Sequence, residues 1–434
     1  MALRSTHAQA RRGMPRARRA ALAALALLAL PALAAGFGHA LLSQFSLRPG
    51  YTNLNHGSYG SAPAVVTASA ANWTAWMESC PDAYFRFDAW APYDAVRARM
   101  AAYIGASVND TVFVENASNG VNAVLQSLAR HAPPGAKFLY LNTAYYMVKM
   151  VMSYVEPDNR IMVNVSQPVD NAAVVSAVRA ALEANKGNVY AASFSHIVSV
   201  PGVILPVKEL AALCREYGVF SLVDGAHALG HVPVDVVDIG ADAWLGNAHK
   251  WLYSAKGAAV LWVSPSKQSL IEPVVISWEG RGDTHFQLAF SYQGTTTQAQ
   301  YLALNAALDF REAVGGDRAV MEYIHGMAVA GGALLAEVWG TEVLYADESM
   351  YGAMVDVRVP TTNATLGPTI GQRLLDGEGG GGFSTFVPVY DIGGVGGVPG
   401  TFYARVSAQI YTEISDFQLL ADAVKAIIAS NGGT

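Results

Sequence analysis

Between residues 91 and 265, short apolar runs alternate with helix-length amphipathic stretches, and few architectures accept that rhythm. Runs of four to six residues bounded by turn residues read as strands covered on both faces. Strands are predicted at 111–115, 137–141, 161–165, 189–194, 219–223, 243–246 and 258–263, and helices near 91–104, 119–131, 144–155, 171–185 and 206–217. Seven strands with helices between them imply an open α/β fold, a mainly parallel sheet with helices on both faces. The pattern changes after a long helical stretch at 298–313. Residues 314–434 hold fewer strands and more glycine, including Gly377-Glu378-Gly379-Gly380-Gly381-Gly382, which reads as a mobile loop. A large domain over 50–313, with an N-terminal arm from about residue 50, and a smaller α+β domain over 314–434 closed by a helix at 416–430 are therefore expected.

Composition removes several functions. With 434 residues, 52% hydrophobic and 14% charged, the chain can bury enough surface to offset its ordering entropy. A net charge of −6 lacks the basic surplus that nucleic-acid phosphates require. Two cysteines, Cys80 and Cys214, build neither a disulfide framework nor a thiolate metal site, and no HExxH spacing occurs, so no metal is expected. Arg4, Arg11, Arg12, Arg16, Arg18 and Arg19 precede an apolar run over 20–35 with Ala32-Leu33-Ala34 near its end, the layout of a secretory signal. An acid-free, Arg-rich start also suits an organelle transit segment, so residues 1–35 read as a signal or transit piece, with no membrane attachment after its removal. Sequons begin at Asn72, Asn109, Asn116, Asn164 and Asn363, in keeping with the secretory route.

Three places carry chemistry. Residues 219–225, Val-Phe-Ser-Leu-Val-Asp-Gly, end a buried strand in a carboxylate, which puts Asp224 at the carboxyl edge of the sheet where open α/β folds bind ligands; His227 lies in the same turn. Residues 242–251, Asp-Ala-Trp-Leu-Gly-Asn-Ala-His-Lys-Trp, set Lys250 in an apolar neighbourhood, where a lysine can shed its proton and attack carbonyls, beside Asn247 and His249. Residues 114–122 run from a strand through Asn116, Ser118 and Asn119 into a helix whose free N–H groups suit a phosphate. Neither a Walker A sequence nor G-x-G-x-x-G accompanies it. An amine, a carboxylate and a phosphate cradle are the parts that pyridoxal phosphate chemistry requires.

The segments Leu54-Asn55-His56-Gly57-Ser58-Tyr59-Gly60, Ala117-Ser118-Asn119-Gly120-Val121-Asn122, Val223-Asp224-Gly225-Ala226-His227 and Gly246-Asn247-Ala248-His249-Lys250-Trp251 resemble class V aminotransferase-fold enzymes, the isopenicillin N epimerase-like branch above all, over roughly residues 50–430. The resemblance implies the type I pyridoxal-phosphate-dependent transferase fold and pyridoxal 5'-phosphate as cofactor. It implies that Lys250 binds the cofactor aldehyde and moves the proton, that Asp224 pairs with the pyridine nitrogen, and that His227 reaches the phenolic oxygen. Ser118, Asn119, Asn247 and His249 would hold the phosphate. Thr295, in Tyr292-Gln293-Gly294-Thr295, would reach the cofactor phosphate of a partner subunit, giving a homodimer with shared active sites. Tyr145 is either the ring-stacking aromatic or packs under a loop. Arg405 lies in the segment resembling the family's arginine-bearing strand and would grip the substrate carboxylate, with Arg358 and Arg281 as rivals outside a matching motif. Asn55 and His56, with Tyr59, line the substrate pocket or form a structural turn.

An amino-acid substrate follows from the resemblance, and three reactions share the same first steps: C–S lysis of the hercynylcysteine sulfoxide lyase type, epimerisation and transamination. A catalytically inactive binding protein keeping the fold is the alternative of another class. Desulfurases of this superfamily need a cysteine on a mobile C-terminal loop, and this chain has none after Cys214.

Overall fold

The computed structural model describes residues 36–277 and 284–432, so the expected leader and Arg281 lie outside the described residues. In the N-terminal third, helices α1 (Ala64–Ser79) and α2 (Trp90–Tyr103) precede β1 (Thr111–Val114). Helix α3 (Ala117–His131) buries Val121, Val124, Leu125 and Leu128 on one stripe and stops where Ala132, ahead of Pro133, turns extended. Then follow β2 (Lys137–Leu141), α4 (Tyr146–Val155), β3 (Arg160–Val163), α5 (Asn171–Ala184), β4 (Val189–Ser195), α6 (Val207–Glu216) and β5 (Phe220–Asp224). β6 (Ala243–Asn247) leads straight into a single helical turn, α7 (Ala248–Trp251), and β7 (Ala259–Val263) closes the sheet.

The sheet order is β1-β7-β6-β5-β4-β2-β3. It is mainly parallel, as expected, with β7 antiparallel to both neighbours. Only residues 248–258 connect β6 to β7, too few for a helical crossover to a parallel strand, so the chain must turn back. Because β7 opposes both β1 and β6, the carboxyl ends of β1, β4, β5 and β6 face the same way. All residues of β5, β6 and β7 are buried.

Helix α8 (Leu304–Ala313) is followed by Gly315 and Gly316, both at positive φ, and then by the 24-residue helix α9 (Gly316–Trp339). β8 (Met354–Arg358), β9 (Val389–Asp391) and β10 (Phe402–Ser407) form an antiparallel sheet in the order β8-β10-β9, and α10 (Ile414–Ser430) packs with α9. α9 is, among the described residues, the one helix long and apolar enough to cross a membrane. Its Gly331 lies against Phe417 of α10 and its Gly332 against Val355 of β8, so it serves as a core helix of the smaller lobe. Any side chain at these two positions would collide with those neighbours. The N-terminal arm fastens to this lobe: the N–H of Gly38 donates to Ile410 O at 2.7 Å, that of Thr52 to Ser384 O at 2.9 Å, and that of Ser407 to Leu54 O at 2.8 Å.

Candidate active site

A cavity opens at the carboxyl edge of the large sheet. Asn116 and Ser118 reach it from the β1–α3 junction, Ser195 and Ser199 from the end of β4, Asp224 and His227 from β5 and its turn, and Asn247, His249 and Lys250 from β6 and α7. Tyr145 and Met147 close one side and Ser58 of the arm another.

At the cavity's phosphate end, two asparagines organise the helix terminus. Asn116 caps α3 by accepting the Asn119 N–H at 2.9 Å, and Asn247 Oδ1 accepts the Ala117 N–H at 2.8 Å, locking β6 to the start of α3. Ser118 is left facing the cavity between them. His249 Nδ1 lies 3.0 Å from the Ala258 carbonyl, so the proton sits on Nδ1 and Nε2 offers a lone pair. Burial lowers its pKa to about 4, and an adjacent phosphate dianion would raise it again.

Charge at the opposite end is held in a dry setting. Lys250 Nζ lies 3.0 Å from His227 Nε2. Burial, then repulsion from Arg405, lowers the Lys250 pKa to about 7, while Asp224 pulls the other way. The amine is therefore substantially unprotonated at neutral pH, the form that attacks carbonyls. Asp224 is buried, and burial raises its pKa against the opposing Ala226 N–H, which donates to Oδ1 at 3.0 Å, and the nearby Lys250 charge. Burial drives the His227 pKa well below the ordinary value, reinforced by Lys250. Among the described residues its buried Nδ1 has no hydrogen-bond partner.

Ser118, Tyr145, Asp224, His227, Asn247, His249 and Lys250 thus line the cavity together; Asn119, Thr295, Asn55 and His56 do not, and Arg405 bonds two of the lining residues, Ser58 and Ser199. Asn119 does not line the cavity; its N–H is taken by the cap and its buried Oδ1 has no partner among the described residues. Thr295 is exposed and bonds the Tyr292 hydroxyl at 2.9 Å, away from this chain's own cavity. Asn55 and His56 do not line the cavity. Asn55 Oδ1 accepts from Arg405 Nη2 at 2.7 Å and from the Ser58 hydroxyl at 2.8 Å. His56 is fully enclosed by Trp251, Tyr253 and Tyr411, because its part of the arm packs against α7. Arg405 is buried behind Ser58 and Ser199. Its Nη1 donates to the Ser199 carbonyl at 2.7 Å and its Nη2 to the Ser58 hydroxyl at 2.8 Å, so among the described residues its hydrogen-bond partners are all neutral oxygens. Of its rivals, Arg358 points to Glu342 at 3.3 Å. Ser58, Ser195 and Ser199 were missed from sequence. The carboxyl end of β4 was a usable signal for two of them, since it shares the edge that drew attention to Asp224.

These residues fit pyridoxal phosphate. Lys250 supplies an unprotonated amine, Asp224 a buried carboxylate for a protonated ring nitrogen, and Ser118 with the α3 terminus an anion site. The buried His227 Nδ1, without a partner among the described residues, is free to bond an oxygen of the bound group.

A profile of the aminotransferase class-V family matches residues 63–369. The chain is 27% identical to the hercynylcysteine sulfoxide lyase of Schizosaccharomyces pombe, over 90% of this chain and 97% of that one. It is 28% identical to the isopenicillin N epimerase of Amycolatopsis lactamdurans, over 88% and 97% respectively. The fold matches that of the Escherichia coli cysteine desulfurase CsdA with a TM-score of 0.70 at 16% identity, covering 91% of this chain and all of that one. The chain belongs to the class V aminotransferase family and is a pyridoxal-phosphate-dependent enzyme.

Proposed function

We propose that this enzyme is a C–S lyase that cleaves the Cβ–S bond of a cysteine-derived amino acid by β-elimination. The observation that carries the reading is the match, over 90% of this chain, to a hercynylcysteine sulfoxide lyase in a chain with no cysteine beyond Cys214. Such a chain can release a thiol or sulfenate but has no late thiol to accept sulfane sulfur. Burial also raises the Cys214 pKa to about 12, which keeps that thiol inert.

The bound cofactor supplies an electron sink for the pair left at Cα when its proton departs. Lys250 is the base for that proton, its pKa near 7 matching neutral operation. His227 at 3.0 Å orients the amine. Asp224, held by the Ala226 N–H, keeps negative charge where a protonated ring nitrogen needs it. Arg405 takes the substrate carboxylate by exchanging its neutral oxygen partners for two charge-assisted bonds. Elimination then breaks Cβ–S, the sulfur leaves with the bonding pair, and the three-carbon remainder takes up water to give pyruvate and ammonia.

The test is the visible spectrum of the purified protein before and after borohydride, with peptide mapping, then a screen of S-substituted cysteines and their sulfoxides. A pyridoxyl group on Lys250 and pyruvate formed one-for-one with thiol or sulfenate are expected. Recovery of substrate with inverted Cα, carrying solvent deuterium, would establish the epimerase reading that the second relative favours. A keto acid retaining the sulfur would establish an aminotransferase.

Two further proposals accompany this reading. The enzyme acts as a homodimer: Tyr146, Met150 and Tyr154 expose 71%, 51% and 79% of their surface on one face of α4, beside the cavity, and Thr295 lies clear of its own cavity. Light scattering should give twice the chain mass, and Thr295→Ala should weaken cofactor retention; a monomer with full retention would refute it. Residues 1–35 are a removed secretory leader, in keeping with exposed Asn72, Asn109, Asn164 and Asn363. N-terminal sequencing of secreted material after residue 35 is expected; an intact or organelle-imported chain would overturn it.

A further inference from the structure

The turn that carries Lys250 cannot hold itself. α7 has four residues, too few to satisfy its last carbonyls internally. Three residues after Lys250, Tyr253 adopts φ +65°, a left-handed backbone costly for a bulky side chain. Two side chains from distant parts of the chain cap the free carbonyls. Arg311 Nη1 donates to Trp251 O at 3.0 Å, and His56 Nε2 lies 2.8 Å from Lys250 O.

The second of these contacts fixes a direction. A carbonyl only accepts, so the His56 proton sits on Nε2 and Nδ1 is left as an acceptor. The Tyr411 hydroxyl, 2.9 Å away, donates to Nδ1, and Asn53 Nδ2 donates to the Tyr411 oxygen at 2.8 Å. Each group in this buried relay, from Asn53 through Tyr411 and His56 to the Lys250 carbonyl, uses the role its neighbour leaves open. Burial lowers the His56 pKa to about 3, so the imidazole stays neutral through the working range and its two partners hold it in one tautomer. The preceding residue, Asn55, holds Arg405. Gly60 brings the end of the same segment, at φ +70°, so close to the His249 and Lys250 carbonyls that a Cβ would collide with them.

We propose that His56 is a positioning residue: by holding the Lys250 carbonyl it keeps Nζ against His227, and through Asn55 it couples that geometry to the occupancy of Arg405. This rests on the reading of Lys250 as the reacting amine and Arg405 as the carboxylate site. The charged or titratable groups facing the amine are Asp224 from β5, His227 from the turn after it and Arg405 from β10, with His249 beside it in the chain. His56 is not in contact with the reacting atoms, so its substitution acts only through the turn.

The experiment compares His56→Ala, His56→Gln and Tyr411→Phe as holoenzymes. It measures kcat, KM, melting temperature and the pH midpoint of the near-visible cofactor band, which reports the proton on the Lys250 nitrogen. His56→Ala should lower kcat about 10–100-fold, the range expected when a misplaced support shifts a reacting group by about 1 Å, with a smaller change in KM. Its band midpoint should rise by about one unit, because water admitted to the turn stabilises the protonated form. Gln, whose amide can donate to the same carbonyl, should restore most of kcat and the midpoint. Tyr411→Phe, which keeps the imidazole and the core volume, should move the midpoint in the same direction by less. A lowered melting temperature with kcat and midpoint unchanged would overturn the proposal. Should His56→Ala not fold, an unaltered midpoint in Tyr411→Phe would overturn it equally. Failure of borohydride to label Lys250 in the native protein would instead refute the underlying reading.

Discussion

Lys250→Met should abolish turnover, by at least about 10⁴-fold, the upper end of what one positioned proton-transferring group contributes. It should also remove the borohydride-reducible link, since no other amine lines the cavity among the described residues. The same change should stabilise the cofactor-free protein. Folding places an ammonium-bearing side chain where its pKa falls from 10.5 to about 7. Between those values the unfolded chain binds more protons than the folded one, so stability rises with pH across that window and the penalty is complete below about pH 7. Methionine has similar bulk and no charge to desolvate. The melting temperature of cofactor-free Lys250→Met should therefore exceed that of the native chain at pH 6, and the gap should close toward pH 10. A gap independent of pH would show that the amine is not desolvated, and with it the activation of Lys250 would lose its cause.

Asp224→Asn should cost about 10²–10³-fold in kcat, the loss typical of removing one preorganised electrostatic partner from a dry site. Volume and the acceptor for the Ala226 N–H are retained, so the fold should be spared. The charge is what goes: a neutral amide cannot hold a ring nitrogen protonated. It also ceases to favour the ammonium form of Lys250, whose pKa should fall further below about 7. The check pairs kcat with the pH midpoint of the visible band. Unchanged kcat with a lowered midpoint would leave Asp224 as a structural acid only, and unchanged values of both would place the cofactor nitrogen elsewhere.

The chemistry-bearing strand ends were legible because their signals are local. Val219 to Asp224, interrupted only by Ser221, and Ala243 to Asn247 are apolar runs with a polar terminus, and a parallel sheet sends every such terminus to one edge. Asn116 could likewise be recognised as a helix cap from the polar residues that follow it. Less was readable in the smaller lobe. The 24-residue helix α9 is apolar around much of its circumference, with three glycines inside it, so amphipathic periodicity fades there while packing against β8 and α10 maintains it.

His56 and Arg405 show where reading along the chain stops. His56 sits in a motif that resembles a pocket segment, yet its partners are Lys250, 194 residues away, and Tyr411, 355 away. Arg405 meets Asn55 across 350 residues and Ser199 across 206. Hydrophobic period and capping residues encode which face of an element is buried and where it ends, because those depend on neighbours within a turn or two. By itself, then, the sequence determined the succession of strands and helices over residues 91–265, the mainly parallel sheet, the strand ends that hold Asp224 and Asn247, and Lys250 just beyond the second of them. The tertiary structure alone decided that the arm packs against the turn carrying Lys250, that β7 turns back, and that Arg405 is held by Asn55, Ser58 and Ser199. Those contacts form only when both chain ends fold onto one lobe, and no local pattern specifies which distant groups will meet.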